Sequence, residues 1–330
     1  MKGKITAELL PDMQKTETGF YKKRIAKVGV RGIKQYIPIL MKDGSVQTVL
    51  ANISSYCSLD ETFKGINMSR ITRTINKVLK DNPNGFRGLE AFVKELAEAH
   101  KSPDVYIKAV FRMLMDRTSP MTELYSQEPI DVTIESQFRN NEYKTYLRVE
   151  SVAMSLCPCS KEMSQLRNNI TDDEKQLIEG LKLTDNPTAH NLYNKIMMSG
   201  YGAHNQRSHI DIKVEISQQL PKTMWIEDLY EIANVASSCH TRSVLKRPDE
   251  KYETEVSYLG GYFDDDKEFV EVPGNGPKFT EDIARDVAEQ LDKELDTSIK
   301  DYVIVVNNEE SIHTGEIMAT SVLNAGRELK

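Results

Sequence analysis

No uncharged apolar run in this sequence approaches the roughly 18 residues that cross a bilayer, so a helical membrane protein is excluded. The first nineteen residues, MKGKITAELLPDMQKTETG, lack the apolar stretch of a secretory signal. Four cysteines in 330 residues are too few for a disulfide scaffold, and two of them stand together as Cys157-Pro158-Cys159. A reducing cytoplasm, where such thiols stay open to metal binding or chemistry, is the expected location. Positive charge is also short. Lys plus Arg is 43 against 50 for Asp plus Glu, a formal net charge of −7 with an isoelectric point near 5.6. That balance offers no global field for a phosphate backbone, so general nucleic-acid binding is not expected. Short-period repeats, coiled-coil heptads and low-complexity tracts are missing, as are a Walker P-loop and a GxGxxG, which removes support for a dinucleotide fold.

What is present is a globular composition, 39% hydrophobic and 28% charged, in a chain long enough for one large domain or two packed modules. Between Arg24 and Leu50 the segments IAKVGVRG, QYIPILMK and VQTVLANI read as β, separated by glycine turns that include Asp43-Gly44. Helical spacing follows from Met68 to Leu79 (Ile71, Ile75, Val78, Leu79) and from Leu89 to Ala99 (Leu89, Phe92, Val93, Leu96), with Asn82-Pro83-Asn84-Gly85 between them. A strand-rich block comes next: Val105–Met115, then Ile130 onward and Tyr146 onward on either side of a turn at Asn140-Asn141. The HIDIKVEI stretch alternates, with Ile210, Ile212, Val214 and Ile216 on one face. Helices at Trp225–Val235 and Thr280–Leu295 precede two closing strands. This order, ββααββ twice, predicts an α+β fold with antiparallel sheets and helices on one face, an N-terminal module over 1–125 and a C-terminal module over 126–330. Each half-sheet then has a face that needs another subunit, so an oligomer is expected. Residues 165–199 read as an inserted surface segment, and the acidic stretch 260–276 as a solvated loop rather than a metal site.

Six histidines can be weighed one by one. His100 ends a helical run, where imidazolium is favoured, and His190 lies in the polar insertion, where it is expected to be solvated. Ser155-Leu-Cys-Pro-Cys-Ser-Lys-Glu162 follows a strand; thiolates there suit zinc and similar divalent ions, but with no second nearby cysteine pair a mixed site is more natural than a four-thiolate one. Gly202-Ala-His-Asn-Gln-Arg-Ser-His209 is too polar for a core strand. It offers His204 as a ligand or proton-transfer group and Arg207 as a forked cation for phosphate, whereas His209 reads equally well as structural. Lys246-Arg-Pro-Asp-Glu-Lys251 places Arg247 in extended backbone before Pro248 and offers Glu250 to a metal shell. Ser311-Ile-His313 offers a further imidazole. Cys239-His240 reads as packing and capping at the end of an apolar helix. Phe63 to Arg70 opens a helix whose Ser69 and Arg70 either hold an anion or simply cap it.

Taken in order, SLCPCSKEMS, GAHNQRSH, LKRPDEKY, PKFTED and ESIH resemble the type IB GTP cyclohydrolase I family, and the earlier LPDMQ and FKGINMSR fit it as well; the match runs from about Leu10 to His313. The resemblance implies the tunnelling fold (T-fold) of two ββααββ modules in a homotetramer, with sites near subunit interfaces. It also implies a cytoplasmic hydrolase acting on a cyclic amidine, turning GTP and water into formate and 7,8-dihydroneopterin triphosphate, the first step towards tetrahydrofolate and other pterins. Carried over motif by motif, a divalent ion (zinc, manganese or iron) would be held by Cys157, His204, Glu250 and His313, with Cys157 and Cys159 as alternatives for the thiolate. Glu281 would anchor the guanine, and Cys159 would lie near the reacting carbon, with His204 or Cys159 moving protons. The triphosphate would fall to Ser69, Arg70, Arg207, Lys64 and Lys161. Departures are the insertion at 165–199, Asn67 where relatives often have histidine, and SSCHTRSV where relatives often have SSPVY. Rival readings are an archaeal-type cyclohydrolase giving a cyclic phosphate, the nitrile reductase of the same fold, and a non-enzymatic zinc protein.

Overall fold

The computed structural model describes residues 23–81, 87–166, 171–198 and 202–326. The LPDMQ segment and the Asn82–Gly85 break lie outside them. The residues cluster into two compact units that interleave along the chain. Of the described residues, one unit takes those within 1–112, 132–147 and 215–217, and the other takes those within 113–131, 148–214 and 218–330. They interleave because β3 (Val105–Thr118), β4 (Tyr125–Arg139), β5 (Glu142–Leu156) and β6 (Asn205–Ile216) each pass from one unit into the other.

In the first unit β1 (Ile25–Leu40) and β2 (Val46–Leu59) pair antiparallel from Ile25↔Leu59 to Leu40↔Val46, and β2 pairs with β3 from Asn52↔Val110 to Cys57↔Val105. IAKVGVRG and QYIPILMK, read from sequence as separate strands, are one strand. Register shifts between Val30 and Ile33, where Gly32 has φ of 80°, put a bulge where the sequence suggested a turn. Gly29 serves close approach instead, since a Cβ there would stand 2.0 Å from the Ser55 carbonyl oxygen. Two amphipathic helices follow, α1 (Met68–Asp81) and α2 (Arg87–His100). Their buried Ile71, Ile75, Val78, Phe92, Val93 and Leu96 are the residues marked by helical spacing; the side chains of Leu79 and Leu89 lie outside the description. Burying each such side chain fully is worth roughly 1.5–3 kcal/mol. Between β4 and β5, Asn140 and Asn141 both take positive φ (54° and 63°), as a two-residue hairpin turn of the twist-compatible kind requires.

In the second unit the strand order is β3-β4-β5-β6-β10-β11, with β10 at Asp301–Glu309 and β11 at Met318–Asn324; the two-residue β7 (Cys239–His240) is set against β5, and β8 (Gly261–Phe263) and β9 (Phe269–Glu271) pair antiparallel in a sheet of their own. Ile210, Ile212 and Val214 of β6 are buried, Ile216 half-buried, and Arg148 of β5 clamps Asp211 of β6 with two parallel hydrogen bonds. The helices of this unit are α3 (Pro158–Leu166), α4 (Asp172–Lys182), α5 (Pro187–Met198), α6 (Ile226–Ala236), α7 (Arg247–Leu259) and α8 (Thr280–Asp292). The α+β class, the antiparallel strands and the doubled order of the tunnelling fold are therefore present, with the second copy elaborated by α3–α5 and α7. Among the described residues, no helix is long and apolar enough to cross a membrane.

Two local readings are corrected. Cys239-His240 does not end a helix: α6 stops at Ala236, and the pair forms a short strand opposite Met154 and Ala153. Arg247 is not extended either. Lys246 takes the extended, N-cap conformation and Arg247 begins α7, with Pro248 in the first turn, where a missing amide hydrogen costs nothing.

Candidate active site

Strand β5 ends at Leu156, and Cys157 is the hinge between that strand and α3, whose first turn closes when the Lys161 amide donates to the Cys157 carbonyl at 3.1 Å. The same cysteine's amide donates to the His204 carbonyl at 3.3 Å, and the His204 amide reaches the Ser160 hydroxyl at 3.4 Å. The CPCS and GAHN motifs, 47 residues apart in sequence at Cys157 and His204, are thus laced together by backbone. Beyond them, the loop joining β10 to β11 is closed by the Glu310 amide on the Ile317 carbonyl and carries Ser311 and His313. The Ser311 hydroxyl stands 3.4 Å from Nδ1 of His204. His313 lines a cleft of about 880 Å³ with Arg207, Gln206, Glu310 and Thr241, a size suited to a nucleotide.

The segment bearing Glu281 is fastened to the same strand end. The Lys278 amide donates to the Leu156 carbonyl at 3.1 Å, and the Ser155 hydroxyl donates to the Lys278 carbonyl at 2.9 Å while accepting from Asn308 at 2.9 Å. Lys278 is buried. Its ammonium bonds the carbonyls of Ala236 (2.8 Å) and Gly274 and pairs with Asp286 at 2.5 Å. Glu281 then lies exposed in the first turn of α8. Its own amide and the Thr280 hydroxyl, 2.9 Å away, hold its carboxyl below the usual range, so it stays an acceptor-only carboxylate at neutral pH.

The remaining expected residues fall as follows. Cys159 is exposed on the first turn of α3. Lys161 is half-buried, its ammonium donating to the Tyr258 carbonyl at 2.5 Å. Glu250 is exposed in the first turn of α7, beside Asp249. Lys64, Ser69 and Arg70 belong to the first unit, where the Arg70 guanidinium donates to the Ala99 carbonyl at 2.7 Å, near the end of α2. His209 bridges Glu309 (2.7 Å) and Glu150 (3.8 Å), which favours its structural reading. His190, expected to be solvated, is half-buried with its ring 6.0 Å from that of Phe269. Sequence reasoning passed over Lys278 and Asn308, because nothing in a linear sequence marks a lysine or asparagine that will be buried among carbonyls.

The family resemblance implies a divalent ion. One thiolate, two imidazoles and a carboxylate have suitable donor chemistry. Among the described residues, however, no group of three or more His, Cys, Asp or Glu side chains is placed to hold one. The convergence in this chain therefore extends to Cys157, His204 and the Ser311–His313 loop.

Close to Glu250, α7 is pinned through buried Asp249, whose carboxylate accepts from the amides of Met121, Thr122 and Lys246 at 3.0 Å each and from the Thr122 hydroxyl at 2.5 Å. Burial alone would raise its pKa, but these donors outweigh it and hold the carboxyl far below the usual range. One turn on, Glu253 is buried with Arg242 at 3.4 Å. Burial pushes its carboxyl up to about 7, with Arg242 opposing and Glu128 and Asp249 reinforcing the shift. A carboxyl raised on folding contributes stability that is full below the unfolded value of 4.5 and is lost as pH rises through about 7. Glu253→Gln is therefore expected to flatten the fall in Tm between pH 5 and pH 8. A wild-type-to-variant difference in Tm that stays constant across that range would contradict this.

Comparison with known proteins adds the family. Residues 10–263 and 264–319 match the family described as type I GTP cyclohydrolase FolE2. A GTP cyclohydrolase FolE2 of Azoarcus sp. is 29% identical over 310 residues, covering 93% of this chain and 92% of that protein. The FolE2 proteins of Magnetococcus marinus and Nitrosospira multiformis are 31% and 33% identical over 293 residues, each with 88% of this chain covered and 87% and 89% of the relative. Among solved structures, a uricase from Arthrobacter globiformis aligns over 94% of both chains with a TM-score of 0.47 at 8% identity. On these sequence matches, the chain belongs to the type I GTP cyclohydrolase FolE2 family of enzymes.

Proposed function

We propose that this enzyme converts GTP and water to formate and 7,8-dihydroneopterin triphosphate. The observation that carries the reading is the fastening of Glu281's segment to the strand end that bears Cys157 and, through it, His204. An ionised carboxylate at Glu281 accepts from the N1–H and 2-amino groups of guanine together, a bidentate contact that water replaces poorly. With the purine so fixed, its imidazole ring is presented to the thiols and imidazole. Water adds at C8 and the ring opens. His204 or Cys159 takes and returns the protons, a second water hydrolyses the formyl group to formate, and the ribose rearranges to an open ketose whose carbonyl condenses with the freed amine, releasing one water as the pterin ring closes. Arg207 in the cleft and Lys161 after Cys157 are the proposed phosphate cations of this unit, with Lys64, Ser69 and Arg70 proposed from the first.

Metal dependence belongs to this reading: a divalent zinc, manganese or iron ion, with Cys157, His204, Glu250 and His313 as its ligands, proposed on donor chemistry alone. So do a homotetramer and a place in folate synthesis in the cytoplasm. The test is an anaerobic assay of metal-loaded protein with GTP, following formate and pterin fluorescence across these metals. Formate with a pterin triphosphate is the expected result, and Glu281→Ala should remove GTP turnover while leaving bound metal unchanged. A cyclic phosphate product, or no formate with any metal, would overturn the assignment.

A further inference from the structure

The stretch SSCHTRSV, in which this chain departs from its relatives, has no task in the reaction proposed above. In the fold it forms one wall of a second cleft, of about 430 Å³, at the lower end of the range for small-molecule sites. Its side chains alternate in direction: His240 and Arg242 line this cleft, whereas Thr241 between them lines the cleft of about 880 Å³. The other walls come from the end of β3, the start of β4 and α6, through Asp116, Arg117, Tyr125 and Glu231. All of these residues belong to one unit.

The polar groups here differ in how far their bonding capacity is used. Asp116 accepts from the Tyr125 hydroxyl at 2.8 Å and from Gln127 at 2.9 Å. Arg117 lies 4.5 Å over the ring of Tyr230 and donates to Glu231 at 2.7 Å and to the Tyr230 hydroxyl at 3.3 Å. Both carboxylates that line the cleft are therefore committed. Arg242 is not. Its side chain is only 12% exposed, yet of five N–H donors it spends one, on the Thr118 carbonyl at a loose 3.4 Å. Its Nε stands 3.4 Å from Oε1 of Glu253 without a hydrogen bond, and both atoms are buried. Among the described residues, Nδ1 of His240 is buried without a partner as well. Burial, and then the charge of Arg242, hold this imidazole below its usual value, with Glu231 opposing and Arg117 reinforcing, so the ring is neutral at pH 7.

A guanidinium with unspent donors, shielded from water beside a neutral imidazole, is completed by an acceptor that carries negative charge. A cation would be repelled by Arg117 and Arg242, and an apolar ligand would leave their donors unpaired. We propose that this cleft binds a small oxyanion, a phosphate or carboxylate group, held by Arg242 together with His240 and Arg117. The site stands independently of the GTP assignment.

The test is calorimetric titration of the full-length protein at low ionic strength with inorganic phosphate and with succinate, using sodium chloride at matched ionic strength as the blank. Binding of either oxyanion, absent with chloride, is expected; phosphate alone marks a phosphate ligand and succinate alone a carboxylate one. Arg242→Ala should weaken this binding about tenfold, the scale of one charge-assisted contact. Arg242→Lys should recover only part of the loss, since it keeps the charge without the fork, and His240→Ala should weaken binding about threefold. Should Arg242→Ala fail to fold because Glu253 is left buried without its partner, Arg242→Ala combined with Glu253→Gln carries the same expectation. Arg207→Ala, altered in the larger cleft, should bind as the wild type does. Binding of neither oxyanion overturns the proposal. Binding lost in Arg207→Ala but kept in Arg242→Ala also overturns it, since the anion then sits in the larger cleft. So does binding that none of the variants changes, which is an adventitious ion only.

Discussion

His204→Ala is expected to lower formate release about 10²–10⁴-fold with little change in stability, the range for removal of a positioned proton-transfer group. The separation of the two effects follows from how His204 is held. Its backbone does the structural work, accepting from the Cys157 amide and donating to the Ser160 hydroxyl, and both contacts survive truncation to alanine. The imidazole's contact with the Ser311 hydroxyl is a loose 3.4 Å, so little native-state energy resides in it. Steady-state formate release and a thermal melt on the same preparation check this. A variant that melts many degrees lower would show that the ring is a packing element, and one with full activity would remove His204 from the chemistry.

Lys278→Ala is expected to cost about 3 kcal/mol and to abolish turnover as well. Removing one member of a buried pair leaves the other's charge, and here two backbone carbonyls, without a partner. Asp286 is 40% exposed and can recover water, which keeps the figure at the low end; the carbonyls of Ala236 and Gly274 cannot recover so easily. Because the Lys278 backbone also ties the start of α8 to Leu156, loosening this loop should release the segment that carries Glu281 from the end of β5. Chemical denaturation with a GTP-binding measurement at low denaturant separates the two effects. Native-like stability together with normal GTP affinity would contradict the role given to the buried ammonium.

How much of this could be read in the sequence depended on which side chains each element buries. The helices with apolar faces were legible, down to Ile71, Ile75 and Phe92, because hydrophobic spacing is what a helical face against a sheet imposes. The helix α7 was not. The residues it buries include Asp249, Glu253 and Glu255, and a buried face made of carboxylates has no apolar rhythm to follow. Gly29 and Gly32 suggested a turn because glycine marks turns most often, whereas here one serves close strand approach and the other a bulge. At the site, cysteine, histidine and arginine are scarce enough types that CPCS and GAHNQRS stand out unaided. The groups that hold them in place, Ser155, Asn308 and Lys278, are common residues whose role appears only once the strand end is folded.

Strands β3 to β6 each contribute to both units, and this bears on how the gene can be divided. A cut inside any one of them leaves fragments that each end in half a strand, with unsatisfied backbone and no ladder to complete it. Split-protein reassembly should therefore fail at such positions. It should succeed in connections that no strand crosses, such as the segment between α4 and α5, where Leu183, Asp185 and Asn186 are exposed.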